Sequence, residues 1–483
     1  MTRHPVVRRT APVRSPVVVQ GRDAGSRFAR ITRASQVTVS NPWHPRHQHI
    51  ALRLSTWIPI LLFFFSLYQN LSNMDTVDFH RDEARWINRA YFARDYFDPF
   101  SETWADYYIT QGQPPLGNYL MGLGLWLQGR DLETNTVWDF HYEEEWNILH
   151  GAMPDPADLD AGRRTNAVVG ALVVVCVYLL TSRFTNRIGG LAAGLLMAIH
   201  PLHLRLSSQA LSDELLALLL VLCFLMAWRF ARSPGIGSAV LLGALLGLGG
   251  AAKLSPLLLS IPLAIYGCIW LGLVFLHRGR KGLSWHHARF GWLLAAQPVI
   301  AYIVFVLANP YLWPNPIART LSIANFRRRE MDGQSSAWPI AGVDGPVAAL
   351  QRTGRRFNLD YSSSLRAQDW WADLWQTSPG NVSLDVVFMC AGIVVLIALV
   401  IKSGPWSPAG LTAFLMAASS AAIIVGMGVD FYRYFLPLLI VAATCFGIAV
   451  GSASDLIWFT VRRTQLPAWT ETGPGRGTIS AAR

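Results

Sequence analysis

The tetrapeptide Arg81-Asp82-Glu83-Ala84 stands just beyond the first long apolar run of the chain. Ionisable groups close to hydrocarbon are costly to hold, so two adjacent carboxylates at a membrane edge point to function before structure. They open the stretch Ala84 to Arg94, in which Trp86, Ala90 and Ala93 share one face and Arg85, Arg89 and Arg94 lie near another. That pattern predicts an amphipathic helix lying on the membrane plane, with the acids in its first turn where the helix dipole favours anions. Read alone, an Asp-Glu pair is no more than an N-terminal charge bias. Asp78, His80, Asp82 and Glu83 together hold enough donors for a divalent metal, but their spacing is no metal-site pattern, and no metal or other cofactor is expected.

Four further constellations carry polar chemistry. Gln111-Gly112-Gln113-Pro114-Pro115-Leu116 is a diproline that starts a helix cleanly. His200-Pro201-Leu202-His203-Leu204-Arg205 precedes Ser212-Asp213-Glu214 at the head of an apolar run. Acids at such a helix start suit substrate orientation, and helix capping by Ser212 or Asp213 suits them equally. Lys253 stands alone between two apolar runs, and Arg433 sits in Phe431-Tyr432-Arg433-Tyr434-Phe435-Leu436-Pro437. Either cation is placed to snorkel or to hold a phosphate.

The elements that must position these groups are membrane helices. Of 483 residues, 52% are hydrophobic and only 15% charged, against about 25% charged in a soluble domain. Apolar stretches near 54–71, 164–182, 188–204, 211–230, 238–252, 255–276, 290–309, 384–402, 409–428 and 433–458 predict about ten spans, hence an all-α polytopic fold. The net charge of +11 resembles a nucleic-acid signal, yet ten arginines against the single acid Asp23 fall within residues 1–53. That segment reads as a basic, disordered cytoplasmic tail that touches anionic lipid, with no nucleic-acid partner. Residues 54–458 form the membrane domain and 459–483 a second cytoplasmic tail. The run from Ile58 reads as an uncleaved anchor, since about fifty residues precede it and no small-residue cleavage site follows. Cys176, Cys223, Cys268, Cys390 and Cys445 all fall in apolar runs and read as packing residues.

The short segment Leu116–Gly129 decides orientation. If it does not cross, the basic loops at Arg183–Arg187, Arg229–Arg232, His277–Arg289 and Lys402 and the pair Arg462-Arg463 all share the side of the basic N-terminus, as the positive-inside rule requires. It is therefore expected to be an interfacial or re-entrant helix. The loops 72–163 and 310–383, the Leu204–Ala210 loop, Lys253 and the Asp430–Arg433 turn then share the outer face. The loop 310–383 carries Trp338, Trp370, Trp371, Trp375 and the run Arg327-Arg328-Arg329, which reads as an interfacial belt or as a platform for a sugar or lipid headgroup. The acidic segment Asp131–Asp160 adds to the first outer loop.

In order and spacing these pieces resemble the C-type (GT-C) integral membrane glycosyltransferases, in the branch of the protein O-mannosyltransferases and the lipid A aminoarabinose transferase. The matching pieces are Asp82-Glu83, Pro114-Pro115-Leu116, Arg163-Arg164, Pro201 with Ser212-Asp213, Gly249 to Lys253, and Arg433 to Pro437, spread over about 54 to 458. The resemblance implies an inverting transfer of a sugar from a polyprenyl-phosphate donor to a hydroxyl on a protein, lipid or glycan, at the extracytoplasmic face of the cell membrane. It implies Asp82 as the base that takes the acceptor's proton, with Glu83 orienting the acceptor or Asp82 itself. Lys253, Arg433 and Arg205 would stabilise the departing phosphate, and Gln113, Asp213 and Tyr432 would contact substrate. Related sequences carry Lys or His where this chain has Gln113, and a neutral amide can hydrogen-bond a phosphate but cannot balance its charge. The rival reading is a polyprenol-linked sugar transporter or flippase, whose usual inverted repeats and midplane charges are not evident here.

Overall fold

The computed structural model describes residues 45–277, 285–360 and 383–465. The chain divides into two compact units, Met1–Arg53 and Leu54–Arg483, and the candidate site belongs to the second. The expected basic tail lies outside the described residues except for a helix that starts at Pro45.

The principal helices are α1 (Pro45–Asn73), α2 (Arg81–Asn88), α3 (Leu116–Leu127), α4 (Pro156–Phe184), α5 (Arg187–Ile199), α6 (Pro201–Ser207), α7 (Asp213–Arg232) and α8 (Ile236–Ala252). They are followed by α9 (Ser260–His277), α10 (Trp285–Ala295), α11 (Gln297–Leu307), α12 (Pro316–Ala337), α13 (Gly345–Arg355), α14 (Leu384–Ser403), α15 (Pro408–Gly426) and α16 (Leu436–Gln465). Among the described residues no strand forms, and extended pairing is confined to one antiparallel bridge between Gly342 and Val429. Among the described residues seven helical stretches are long and apolar enough to cross a membrane, or eight if the bent pair α5–α6 is one span. The expected ten spans are thus an approximate count: α8 is apolar but shorter, and α1 carries the run expected to span first. The span expected at 188–204 is broken, with α5 and α6 meeting at 61°. Pro201 explains the break, because it donates no backbone hydrogen bond and drives His200 out of helical geometry, to φ −69° and ψ 128°.

Helix α16 packs on α5, α14 and α4, while α7 packs on α4, α8 and α15. Where α5 meets α16, Gly189 and Gly447 lie so close that a methyl on either would strike the other's carbonyl oxygen. Small residues allow this approach, which a membrane core uses in place of hydrophobic drive. Cys176, Cys223 and Cys445 are buried as packing residues, whereas Cys268 and Cys390 face outward.

Helix α3 has 12 residues, about 18 Å of rise and too little to cross a hydrocarbon core of about 30 Å. It packs instead beside the turn that follows α2, where Gly122 lets the Ala90 carbonyl come into contact. Helix α2 departs from the expected surface helix. It ends at Asn88, a tight turn and a four-residue helix follow, and Glu83, Ala84, Trp86, Ile87 and Asn88 are all buried. Arg89, expected on the polar face, is 3% exposed. Burial, followed by the neighbouring Arg85, pulls its guanidinium down to about 10. The segment 134–152 covers α2 from the other side, with the Asn135 amide donating to the carbonyls of Ala84 (3.1 Å) and Ala152 (2.8 Å). An amphipathic pattern shows that a helix has an apolar face without showing whether lipid or protein covers it, and here protein does.

Candidate active site

Glu83 and Asp82 are adjacent in sequence and opposite in role. Glu83 is fully buried, and Arg163 of α4 grips it in a two-pronged pair, with Nε donating to Oε1 and Nη2 to Oε2, each at 2.9 Å. Its oxygens also accept the backbone N–H of His80 (2.9 Å) and of Ala210 (2.8 Å). Arg163 further donates to the Met74 carbonyl at 2.9 Å. One carboxylate therefore joins the start of α2, helix α4 and the loop after α6. A buried charge persists when it is paired and its remaining hydrogen-bond sites are filled, as these are. Buried and paired in this way, Glu83 is placed to hold the start of α2, and with it Asp82, in position.

Asp82 points the other way. Its carboxylate is partly exposed and pairs with the Arg433 guanidinium, which comes from the turn before α16. Burial alone would raise the Asp82 carboxyl, but the charge of Arg433 outweighs it and holds the group at about 2, so it is ionised at any ordinary pH. His80 caps α2 by accepting the Asp82 N–H on Nδ1 at 3.1 Å, and burial lowers its imidazole below the usual value, against the pull of Asp82.

A second ion pair stands beside the first. Lys253, just past α8, donates from Nζ to Asp213 Oδ1 at 2.5 Å, and Asp213 heads α7. Burial pulls the Lys253 ammonium down while Asp213 opposes it, and Arg433 is near enough to add to the lowering. Tyr432 completes the group: its hydroxyl donates to Gln209 Oε1 at 3.2 Å, and the Arg205 guanidinium of α6 lies 4.4 Å from its ring centroid. Arg205 is exposed and, among the described residues, pairs with no carboxylate. The loop that carries Gln209 is secured by Asn166, which donates to the carbonyls of Leu206 (2.8 Å) and Gln209 (2.6 Å), and by Gln209 itself, which donates to the Asp78 carbonyl at 3.0 Å.

Asp82, Arg433, Asp213, Lys253, Tyr432 and Arg205 thus form one cluster, although they come from segments as much as 351 residues apart. Gln113 follows the short helix Tyr108–Gly112, and its side chain makes no hydrogen bond to this cluster. Among the described residues no group of three or more His, Cys, Asp or Glu side chains converges as metal ligands would. Near Asp82 the reason is geometric, since the Glu83 oxygens turn to Arg163 and the Asp82 oxygens to Arg433. Two members went unassigned from sequence. Arg163 was visible only as half of Arg163-Arg164, and Gln209 gave no local signal. Trp370, Trp371 and Trp375 lie outside the described residues, while Trp338 borders a cavity beside Phe431.

The archaeal oligosaccharyltransferase AglB from Archaeoglobus fulgidus, solved with an inhibitory peptide and a dolichol-phosphate, superposes with a TM-score of 0.47 at 14% identity, covering 88% of this chain and 53% of that one. The S. cerevisiae protein O-mannosyltransferase Pmt1-Pmt2 complex bound to the sugar donor gives a TM-score of 0.40 at 17% identity over 52% of this chain and 33% of that one. The chain therefore spans about half the length of the first and a third of the second. No curated protein sequence matches it. The family model for dolichyl-phosphate-mannose-protein mannosyltransferases matches residues 54–312, more than half of the chain, and takes in Asp82, Glu83, Arg163, Asp213 and Lys253, so the protein belongs to that family.

Proposed function

We propose that this protein transfers a sugar, mannose by its family's description, from a polyprenyl-phosphate donor to a hydroxyl of an acceptor protein, with inversion, at the outer face of the membrane. The observation that carries the reading is the pairing of an ionised, partly exposed Asp82 with a phosphate-binding type of cation, beside a second such pair. The acceptor oxygen attacks the anomeric carbon and its proton passes to Asp82, while the bond from that carbon to the phosphate oxygen breaks and the electron pair leaves with the lipid phosphate. Arg433, Lys253 and Arg205 offset the charge that builds on the phosphate. A donor phosphate that competes for Arg433 also loosens its hold on Asp82, which raises the carboxylate's basicity when a base is needed. Glu83 and Arg163 are positioning residues that fix the aim of Asp82.

A transporter would use the same donor without a base. Transfer of radiolabelled mannose by the purified protein in liposomes, with polyprenyl-phosphate-mannose and a Ser/Thr peptide, separates the two. Asp82→Asn keeps size and hydrogen bonding but accepts no proton, and should lower transfer by about two to four decades with donor binding and thermal stability retained. Wild-type transfer by Asp82→Asn would remove the assignment of the base.

A further inference from the structure

A cavity of about 780 Å³, within the range that encloses an organic ligand, is lined in part by Asp430 and Phe431 of the turn that carries Tyr432 and Arg433. The backbone at Phe431 is extended (φ −91°, ψ 133°), so its ring and that of Tyr432 leave the chain on opposite sides. Tyr432 faces the ion pairs. Phe431 faces the cavity, edge-on to Trp338 with ring centroids 5.9 Å apart. Opposite them the end of α13 supplies Arg352, Arg355 and Arg356. Two of these are held by Asp430: Arg352 at 3.2 Å and Arg356 at 3.0 Å, both to Oδ2. Arg352 also donates to the carbonyls of Ile340 (3.2 Å) and Gly342 (3.0 Å). Arg355 is exposed and makes no ion pair or hydrogen bond among the described residues. Among the described lining residues Asp430 is the one carboxylate, and it is engaged by Arg352 and Arg356, which leaves Arg355 facing the cavity.

The wall is tied to the active-site turn. Val343 N–H donates to the Gly428 carbonyl (3.0 Å) and Asp430 N–H to the Ala341 carbonyl (2.7 Å), so the strip 341–343 and the residues leading to Arg433 are one unit. Of the cations assigned to the donor phosphate, Arg205 stacks on Tyr432, while the Arg433 guanidinium lies 5.6 Å from the Phe431 ring centroid and adjoins the cavity. A ligand in the cavity that must still deliver a hydroxyl to Asp82 has to be long enough to reach past Arg433, and an extended polypeptide is.

We propose that this cavity is an acceptor subsite selective for acidic polypeptide: Arg355 meets a carboxylate near the modified Ser or Thr, and Trp338 and Phe431 cover the adjoining apolar part of the chain. The inference rests on the protein-acceptor reading above. It is tested with the full chain in liposomes, saturating polyprenyl-phosphate-mannose, and two synthetic peptides that share one Ser/Thr core, flanked by Asp and Glu in one and by Asn and Gln in the other. The acidic peptide should show a kcat/KM higher by roughly five- to tenfold, carried by KM. Arg355→Gln should bring the ratio near one and Arg355→Glu below one. A wild-type ratio near one, or a preference that survives both substitutions, overturns the subsite while leaving the transferase intact. Transfer to neither peptide would take down the protein-acceptor reading and the subsite with it. If the charge at position 355 instead governs binding of phosphatidylglycerol and not peptide preference, the cavity holds a lipid headgroup and the proposal fails.

Discussion

Glu83 and Arg163 show how a buried pair serves a site it never enters. Removing one partner of such a pair strands a charge in the interior and costs about 3 to 5 kcal/mol, whereas replacing both with apolar groups is often neutral. Glu83→Gln should therefore lower the thermal unfolding midpoint in detergent and lose transfer through misplacement of Asp82. Glu83→Gln combined with Arg163→Met should regain much of the midpoint without the activity. A Glu83→Gln protein with a wild-type midpoint and slow transfer would instead mean that Glu83 acts on substrate. Asp82→Asn, at a partly exposed carboxylate, should show the reverse pattern of lost transfer and retained midpoint. From sequence the two acids were indistinguishable. What separates them is the arginine 80 residues away, which no local pattern announces.

At the scale of elements, legibility followed from how local each cause is. Apolar runs are local, and α4, α7, α14 and α15 lie within a few residues of where those runs predicted them, or extend them with polar turns. The length of Leu116–Gly129 is local too, and α3 is as short as expected. Pro201 was visible, but an apolar run on both sides of it reads as continuous until the backbone is seen to turn. The surface helix expected over Ala84–Arg94 is buried because 134–152, a segment with no strong pattern of its own, folds over it. Asp82, Asp213, Lys253 and Arg433 were singled out as polar groups beside apolar runs, and each does sit at or near a helix end. That each cation is already paired with one of the acids is a tertiary fact.

For the whole molecule, we propose an orientation in the bilayer that rests on α3 not crossing and on the side taken by the basic loops. Single cysteines at Asp131 and Gly342 should then react with a membrane-impermeant thiol reagent in intact cells, and one at Ser403, the last residue of α14, should not. Labelling of Ser403 with protection of Asp131 would invert the assembly and put the chemistry on the cytoplasmic side. The two ion pairs have one more effect, on the end of the catalytic cycle. Asp82, Asp213, Arg433, Lys253 and Arg205 together carry a single positive charge, which the phosphodiester of a donor cancels. The proposed transfer moves a proton onto Asp82 and a second negative charge onto the phosphate, so the occupied site is neutral at the moment the bond has broken. Asp82, whose carboxyl Arg433 holds at about 2, gives that proton up at once at neutral pH, and the excess negative charge that returns drives the spent lipid out. Departure of the lipid should accordingly be fast, and rapid mixing should show a linear onset of glycosylated product. A burst equivalent to the enzyme present would mean that departure, and not bond breaking, sets the pace.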